Sequence, residues 1–178
     1  MTDLKAKRAA FRTLHEQGCF VLPNPWDIGG VRRLEKLGFA ALASTSAGMA
    51  WALGLEDGEV ALDDVLSHLR LLCGSTDLPV NADFEAGFAD DPKEVAANVR
   101  LACDTGVAGL SIEDRTGREL YPLSLAVERI QASREAIDQA GEDVILVGRS
   151  EGFLVGRTDI RATVERLVAY AEAGADCL

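Results

Sequence analysis

A short pattern recurs along this chain: a glycine that closes a helical segment is followed at once by a small apolar run. The copies are KLGFAALAS at 36–44, DTGVAGLSIED at 104–114 and EAGADCL at 172–178. Glycine readily takes the left-handed conformation that ends a helix, so each copy is typical of a helix-to-strand junction. The repetition predicts a fold in which helices and strands alternate.

Apolar runs and amphipathic stretches give the order of the predicted elements. Apolar runs predict strands at 19–22, 40–44, 79–84, 108–113 and 144–149, with a further strand beginning at 175. Helical periodicity fills most intervals, at 4–16, 27–37, 62–73, 92–104, 124–139 and 161–173. Asp27 and Asp91 stand before two of these helices, where a side-chain oxygen can accept from the first backbone N–H groups.

Alternating elements with continuous apolar strands favour a parallel sheet covered by helices, either an open doubly wound sheet or a (β/α)8 barrel. Polar residues gather at the carboxyl ends of the strands, and no glycine-rich dinucleotide motif follows the first strand, so the barrel is favoured. A complete barrel needs about 250 residues, and this chain has 178. We therefore expect an α/β chain that forms a single, partial TIM-barrel domain over 1–178, with about the first five to six βα units.

Composition excludes several classes of protein. The formal charge is −11 with only two histidines, which argues against a nucleic-acid or anionic-membrane partner. The four cysteines are scattered without CxxC spacing, so neither a disulfide framework nor a zinc site is expected. With no signal-like or membrane-spanning segment evident, we expect a cytoplasmic protein.

Acidic residues stand at the ends of two neighbouring predicted strands. Strand alternation puts Asn81, Asp83 and Glu85 on one face, and puts Ser111 and Glu113 together on the next strand. Carboxylates this close need compensation, and a hard divalent cation, Mg²⁺ or Mn²⁺, is one way to provide it. The alternative is that these are loop acids paired with nearby arginines.

Arg149 ends the fifth predicted strand, in VILVGRSEG. Its guanidinium group has the geometry to hold a substrate carboxylate through two hydrogen bonds. A salt bridge to one of the strand-end acids explains the same position equally well.

Small residues follow the second predicted strand, in the run STSAG at 44–48. Their backbone N–H groups and hydroxyls can approach an anionic ligand, although a plain turn is the commoner meaning of such a run. The segment continues into a long loop that contains LEDGE at 55–59, and loops of this kind at a barrel mouth often act as lids.

In this order, the motifs resemble the isocitrate lyase/phosphoenolpyruvate mutase superfamily. The motifs are NPWD at 24–27, the run at 44–48, LGLED at 53–57, LPVNADFEAGF at 78–88, GLSIED at 109–114 and VGRSE at 147–151. The resemblance covers the chain from about residue 8. It implies a TIM barrel that binds Mg²⁺ and a small 2-oxo or 2-hydroxy carboxylate, and it implies a homo-oligomer.

The resemblance also implies roles for single residues. Asp83, Glu85 and Glu113 take the metal-site positions, directly or through water. Asp57 matches a loop acid near the metal, and Arg149 matches the arginine that holds the substrate carboxylate. The segment that holds the substrate through its backbone and hydroxyls corresponds to Thr45, Ser46 and Ala47.

Two departures from the family pattern distinguish this chain from the lyases and from the phosphonate enzymes of the superfamily. Glu85 replaces the second Asp of the usual DxD motif, which lengthens that side chain by one methylene. The loop DRTGRELYPL at 114–123 has neither the Cys of the lyases nor the Lys and Asn or Ser pattern of the phosphonate enzymes. These departures indicate a divergent member of the superfamily.

Three hypotheses for function follow. The leading one is a Mg²⁺-dependent lyase-type enzyme that acts on a small 2-oxo or 2-hydroxy (di)carboxylate through an enolate-like intermediate, by C–C cleavage or decarboxylation. The second is P–C bond chemistry on a phosphonate, of the phosphonopyruvate mutase or hydrolase type. The third is a truncated, non-catalytic homologue that only binds ligand.

Overall fold

The structure is a computed structural model and describes residues 3–178. In this part of the chain, helices and strands alternate over most of its length. The helices are α1 (Leu4–Glu16), α2 (Ile28–Lys36), α3 (Ser46–Ala52), α4 (Leu62–Gly74), α5 (Pro92–Cys103), α6 (Leu123–Gln139) and α7 (Ile160–Glu172). Within residues 3–178, every helix is too short or too polar to cross a bilayer.

The strands form one sheet and one small hairpin. They are β1 (Leu42–Ala43), β2 (Val80–Asp83), β3 (Gly109–Glu113), β4 (Arg115–Thr116), β5 (Glu119–Leu120) and β6 (Ile145–Arg149). The sheet has the strand order β1-β2-β3-β6, and β4 pairs with β5 in antiparallel fashion. β1 and β2 run parallel, with Leu42 opposite Val80, as the alternation of helix and strand predicts.

Aspartate side chains begin several helices, as the sequence predicts for two of them. Asp27 accepts a hydrogen bond from Gly30 N at the start of α2, at 2.5 Å. Asp91 accepts from Lys93 N at 2.8 Å at the start of α5. Such caps satisfy backbone donors that have no partner inside the helix, which fixes where each helix begins.

By its internal contacts the chain divides into two compact units. The first unit contains the residues up to Asp83, together with Leu101–Leu110 and Asp143–Ile145. The second contains Phe84–Arg100, Ser111–Glu142 and Leu146–Leu178. The single domain over 1–178 stays a prediction.

Each unit has its own buried apolar side chains. In the first unit these include Phe11, Val31, Leu42, Leu69, Leu72 and Val80. In the second they include Phe84, Val95, Ile112, Ile130, Ile137 and Leu146. Burial of a side chain of this size contributes about 1.5–3 kcal/mol, so these residues are the main source of stability.

The structure corrects two expectations about elements and bears out a third in part. Residues 19–22 form no strand, although Pro23 O accepts from Ala43 N at 3.0 Å. The run at 44–48 is not a plain turn: helix α3 begins at Ser46, and the Thr45 side chain before it accepts from Gly48 N. The strand expected from 175 is a single bridge between Val147 and Cys177.

The turn after β2 corrects the alternation argument for Glu85. β2 ends at Asp83, and both Glu85 (φ 48°) and Phe88 (φ 59°) adopt the left-handed backbone conformation. Glu85 therefore lies in a turn and does not continue the side-chain alternation of the strand. This conformation is uncommon for residues other than glycine, so surrounding contacts must maintain it.

Arg129 of α6 supplies such contacts. Its buried guanidinium donates to Ala86 O, to Ala89 O at 2.5 Å and to Asp90 O at 2.7 Å. The same group lies 4.2 Å from the ring centre of Tyr121. A single side chain on α6 thus binds three carbonyl groups of the turn that follows β2.

Asp114 ties the end of β3 to α7. Its carboxylate accepts from Glu151 N at 2.8 Å, from Arg166 Nε at 2.7 Å and from Tyr170 Oη at 2.6 Å. Burial, followed by the hydrogen bond to Asp114, raises the pKa of the Tyr170 hydroxyl, which therefore remains a proton donor.

Candidate functional site

In the first unit, Asp83 at the end of β2 is fixed to the segment that follows β1. Its Oδ2 accepts from both the backbone N and the Oγ of Ser46, each at 2.9 Å. Its own backbone N donates to Ser44 Oγ at 2.8 Å. The structure therefore brings a predicted metal ligand together with a predicted substrate-binding residue.

Thr45 and Ala47 line a pocket next to Ser44 and Ser46, the two residues that bond Asp83. The pocket has a volume of about 560 Å³ and is lined by Asn24, Trp26, Thr45, Ala47, Gly48, Trp51 and Ala52. Both tryptophan rings are more than half exposed. A small organic ligand with an apolar part can enter such a space, because its walls are mainly carbon and indole surface.

Asp57 lies on an exposed loop between α3 and α4. Gly54 and Gly58 have positive φ angles, and Glu56 N donates to Glu59 Oε2 at 2.9 Å. The loop matches the long, acid-bearing segment expected from the sequence. Its closure over a ligand stays a prediction.

In the second unit, Glu113 and Arg149 form an ion pair. Arg149 Nη1 lies 3.1 Å from Glu113 Oε1, and Arg149 Nε lies 2.6 Å from Glu151 Oε1. Arg115 Nε lies 3.1 Å from Glu113 Oε2 and 3.7 Å from Glu151 Oε2. We call these four residues the charged ring, since acids and arginines alternate around it.

Burial differs sharply between the two kinds of residue in the charged ring. The Glu113 and Glu151 side chains are 4% and 3% exposed, whereas those of Arg115 and Arg149 are 27% and 40% exposed. Buried carboxylates are tolerated only with close compensation, which the two guanidinium groups provide. Of the two explanations for Arg149, the salt bridge is therefore observed; carboxylate binding remains a proposal.

Two residues of the charged ring, Arg115 and Glu151, were not assigned a role from the sequence. A usable signal was present, because both stand two positions after a strand-end charge, in Glu113-x-Arg115 and Arg149-x-Glu151. Opposite charges at this spacing near one sheet edge are expected to meet when the strands are neighbours.

The remaining predicted ligand, Glu85, belongs to the second unit with Glu113, while Asp83 belongs to the first. Glu113 N donates to Glu85 O at 2.8 Å, so the Glu85 backbone is fixed to the end of β3. The direction of the Glu85 side chain is therefore set by the turn after β2 and not by the alternation of a strand.

The oxygen donors of the described residues bear on whether a divalent cation could bind. Among residues 3–178, no three His, Cys, Asp or Glu side chains are grouped so that they could hold a metal ion. Asp83 nevertheless offers a hard oxygen donor at the end of β2, oriented by Ser46. Carboxylate oxygens of this kind fit Mg²⁺ or Mn²⁺ better than zinc. Glu113 already has its charge balanced by arginines.

Comparison with known proteins decides the family. Residues 11–178 match the family model described as phosphoenolpyruvate phosphomutase. The chain belongs to the isocitrate lyase/phosphoenolpyruvate mutase superfamily. The 2-methylisocitrate lyase of Escherichia coli K12 is 32% identical over 155 residues, which are 81% of this chain and 51% of that protein.

Solved structures of this superfamily share the fold. A candidate lyase/mutase from Burkholderia cenocepacia J2315 has a TM-score of 0.95 and 45% identity, over 98% of this chain and 65% of that one. The 2,3-dimethylmalate lyase has a TM-score of 0.86 and 29% identity, over 99% of this chain and 62% of its own. The predicted TIM-barrel fold class is confirmed. The chain spans between about half and two thirds of the length of these superfamily members.

Proposed function

We propose that this superfamily member is a Mg²⁺-dependent lyase-type enzyme that acts on a small 2-oxo or 2-hydroxy (di)carboxylate through an enolate-like intermediate. The observation that carries the proposal is the pair of hydrogen bonds from Ser46 to Asp83 Oδ2. They connect the proposed substrate segment to the proposed metal ligand. The names of the two lyase relatives, for 2-methylisocitrate and 2,3-dimethylmalate, refer to hydroxy acids with more than one carboxylate.

The proposed roles follow the chemistry of each side chain. Asp83, Glu85 and Glu113 remain the proposed residues of a Mg²⁺ or Mn²⁺ site, directly or through water. When bound, the cation supplies Lewis-acid stabilisation for negative charge that develops on a substrate oxygen. Ser46 keeps Asp83 in one orientation, so that this carboxylate need not reorganise during the reaction.

The other proposed residues bind and enclose the substrate. Arg149 presents a partly exposed guanidinium that can bind a substrate carboxylate. Thr45 and Ala47 contribute backbone and hydroxyl groups beside the pocket. Asp57 is carried by the exposed loop, where closure would bring an acid to the substrate and exclude water.

For a 2-hydroxy acid whose second carboxylate is attached to C3, the proposed cleavage is a retro-aldol reaction. The hydroxyl loses its proton and becomes the carbonyl oxygen of a 2-oxo acid as the C2–C3 bond breaks. The electron pair of that bond passes to C3 and its carboxylate as an enolate, which then takes up a proton at C3. Decarboxylation of a 2-oxo dicarboxylate passes through the same kind of enolate.

The test is an assay of the purified protein with Mg²⁺ and a panel of oxaloacetate, 2-oxoglutarate and 2-methylisocitrate. We expect metal-dependent turnover of at least one acid and loss of turnover in Asp83→Asn. No turnover together with no metal-dependent binding would overturn the proposal. Metal-dependent binding without turnover would instead support the non-catalytic, ligand-binding alternative.

A second candidate, P–C bond chemistry, is favoured by the match to the phosphoenolpyruvate phosphomutase model. It predicts release of phosphate and pyruvate from phosphonopyruvate, or its conversion to phosphoenolpyruvate. Phosphorus NMR distinguishes these products directly. The homo-oligomer implied by the resemblance is also a proposal, and sedimentation analysis at several protein concentrations tests it.

A further inference from the structure

We infer that Arg115 is a second carboxylate-binding residue, which together with Arg149 makes the site selective for dicarboxylates over monocarboxylates. The inference rests on the proposed function and specifies its substrate class. It concerns a residue of the hairpin β4–β5, in the loop that lacks both the lyase Cys and the phosphonate-enzyme pattern.

The geometry of the charged ring supports this role. Arg115 and Arg149 contact the same two carboxylates, Glu113 and Glu151, at distances from 2.6 to 3.7 Å. Each guanidinium group lies within 3.7 Å of the same two glutamates, so both arginines belong to one compact cluster. Two arginines in one cluster suit a ligand that has two carboxylates joined by a short carbon chain.

Within the charged ring, the arginines are partly exposed to solvent and the acids are not. The acids are almost completely buried, while Arg115 and Arg149 retain 27% and 40% of their side-chain surface. The positive groups thus form the accessible side, and the negative groups stabilise them from within. An arginine fork binds carboxylates with two parallel hydrogen bonds, which a lysine cannot reproduce.

Arg115 is also held in place along its own strand pair. Its Nη1 donates to Gly117 O at 3.3 Å, within the turn that joins β4 to β5. A side chain fixed by its hairpin and by two acids loses little conformational freedom when a ligand arrives. This preorganisation favours binding of the second carboxylate.

The test compares malate with lactate, which have the same 2-hydroxy acid group but differ in the second carboxylate. Affinities are measured by calorimetry with Mg²⁺ present, for the wild type, Arg115→Ala and Arg115→Lys. Arg118→Ala is the matched control, since Arg118 is an exposed arginine of the same hairpin. We expect the wild type and the control to prefer malate, and the preference to fall about tenfold in Arg115→Ala.

The outcomes separate this inference from the proposed function. Wild-type protein that binds neither acid overturns the proposed function, and this inference with it. Wild-type protein that prefers malate, with an unchanged ratio in the Arg115 variants, overturns this inference alone. Should Arg115→Ala unfold because Glu113 and Glu151 lose compensation, Arg115→Lys decides, since it keeps the charge but removes the fork.

Discussion

Arg149 Nη1 lies 3.1 Å from Oε1 of Glu113, whose side chain is almost completely buried. The pair shows that the strand-end acid is compensated within the protein by arginine, so charge balance alone does not require a metal at Glu113. It also means that Arg149, the proposed carboxylate-binding residue, is held in place by a residue of a neighbouring strand.

Arg149→Lys is expected to weaken malate binding about tenfold, or about 1.4 kcal/mol. The reason is that lysine cannot contact both Glu113 and Glu151 while presenting a fork to the ligand. Calorimetric titration measures the affinity. Arg157→Lys, a change at an exposed arginine after β6, should bind as the wild type does. Undiminished binding by Arg149→Lys would remove this residue from the proposed site.

Ser46→Ala removes one of the two donors to Asp83 Oδ2 and leaves the backbone N–H in place. We expect Mn²⁺ affinity, measured by electron paramagnetic resonance, to fall about fivefold, on the order of 1 kcal/mol. Ser75→Ala is the control, because Ser75 Oγ donates to Leu72 O at 2.8 Å, at the end of α4. Equal Mn²⁺ affinity in both variants would contradict the orienting role of Ser46.

Arg129→Met is expected to destabilise the fold by about 3 kcal/mol, since carbonyl groups of the turn after β2 lose a charged donor. Chemical denaturation measures this loss. Hydrogen exchange should accelerate in residues 84–90 more than elsewhere, because the turn depends on this side chain. Exchange that accelerates evenly along the chain would show that Arg129 only contributes general stability.

Cys73 provides a prediction about pH. Burial raises the pKa of its thiol from 9.0 to about 12, although Lys7 and Arg8 act in the opposite direction. The unfolded chain therefore loses this proton first, and the free energy of unfolding falls as pH rises from about 9 towards 12, by at most about 1.4 kcal/mol per unit. Urea titrations at pH 8 and 10.5 should show a smaller fall in Cys73→Ala than in the wild type. An equal fall would contradict the assignment.

The same burial predicts the order in which thiols react. Cys19 is exposed, whereas Cys73 is buried. In native protein at pH 8, iodoacetamide should modify Cys19 and spare Cys73, and mass spectrometry of peptides identifies the site. Both thiols should react in urea. Rapid native modification of Cys73 would mean that its surroundings open readily.

Sequence reasoning recovered the helices well because their caps and apolar periodicity are local. α1 was predicted with its observed bounds, and α2 to within one residue at each end. It missed α3 since its seven residues are too few for periodicity to show, and small residues are equally common in turns. The hairpin β4–β5 was missed for the same reason, as each strand has two residues.

One contact between predicted residues follows from the positions of strand ends. Ser46 and Asp83 meet because β1 and β2 are parallel neighbours, which the alternation of elements implies. Glu85 departs from the prediction because its positive φ, held by long-range contacts, is not encoded in the alternation of side chains. Arg115 and Glu151 were overlooked since pairing across a folded sheet edge depends on strand order, which the sequence alone leaves open.

The buried contacts of Asp114 with Arg166 and Tyr170 join β3 to the last helix, although 52 and 56 residues separate the partners along the chain. Detaching α7 would leave a buried carboxylate without two of its donors. We therefore expect α7 to open together with the end of β3 rather than to fray alone. A link of this kind makes the far end of the chain a direct contributor to the order of the strand that carries Glu113.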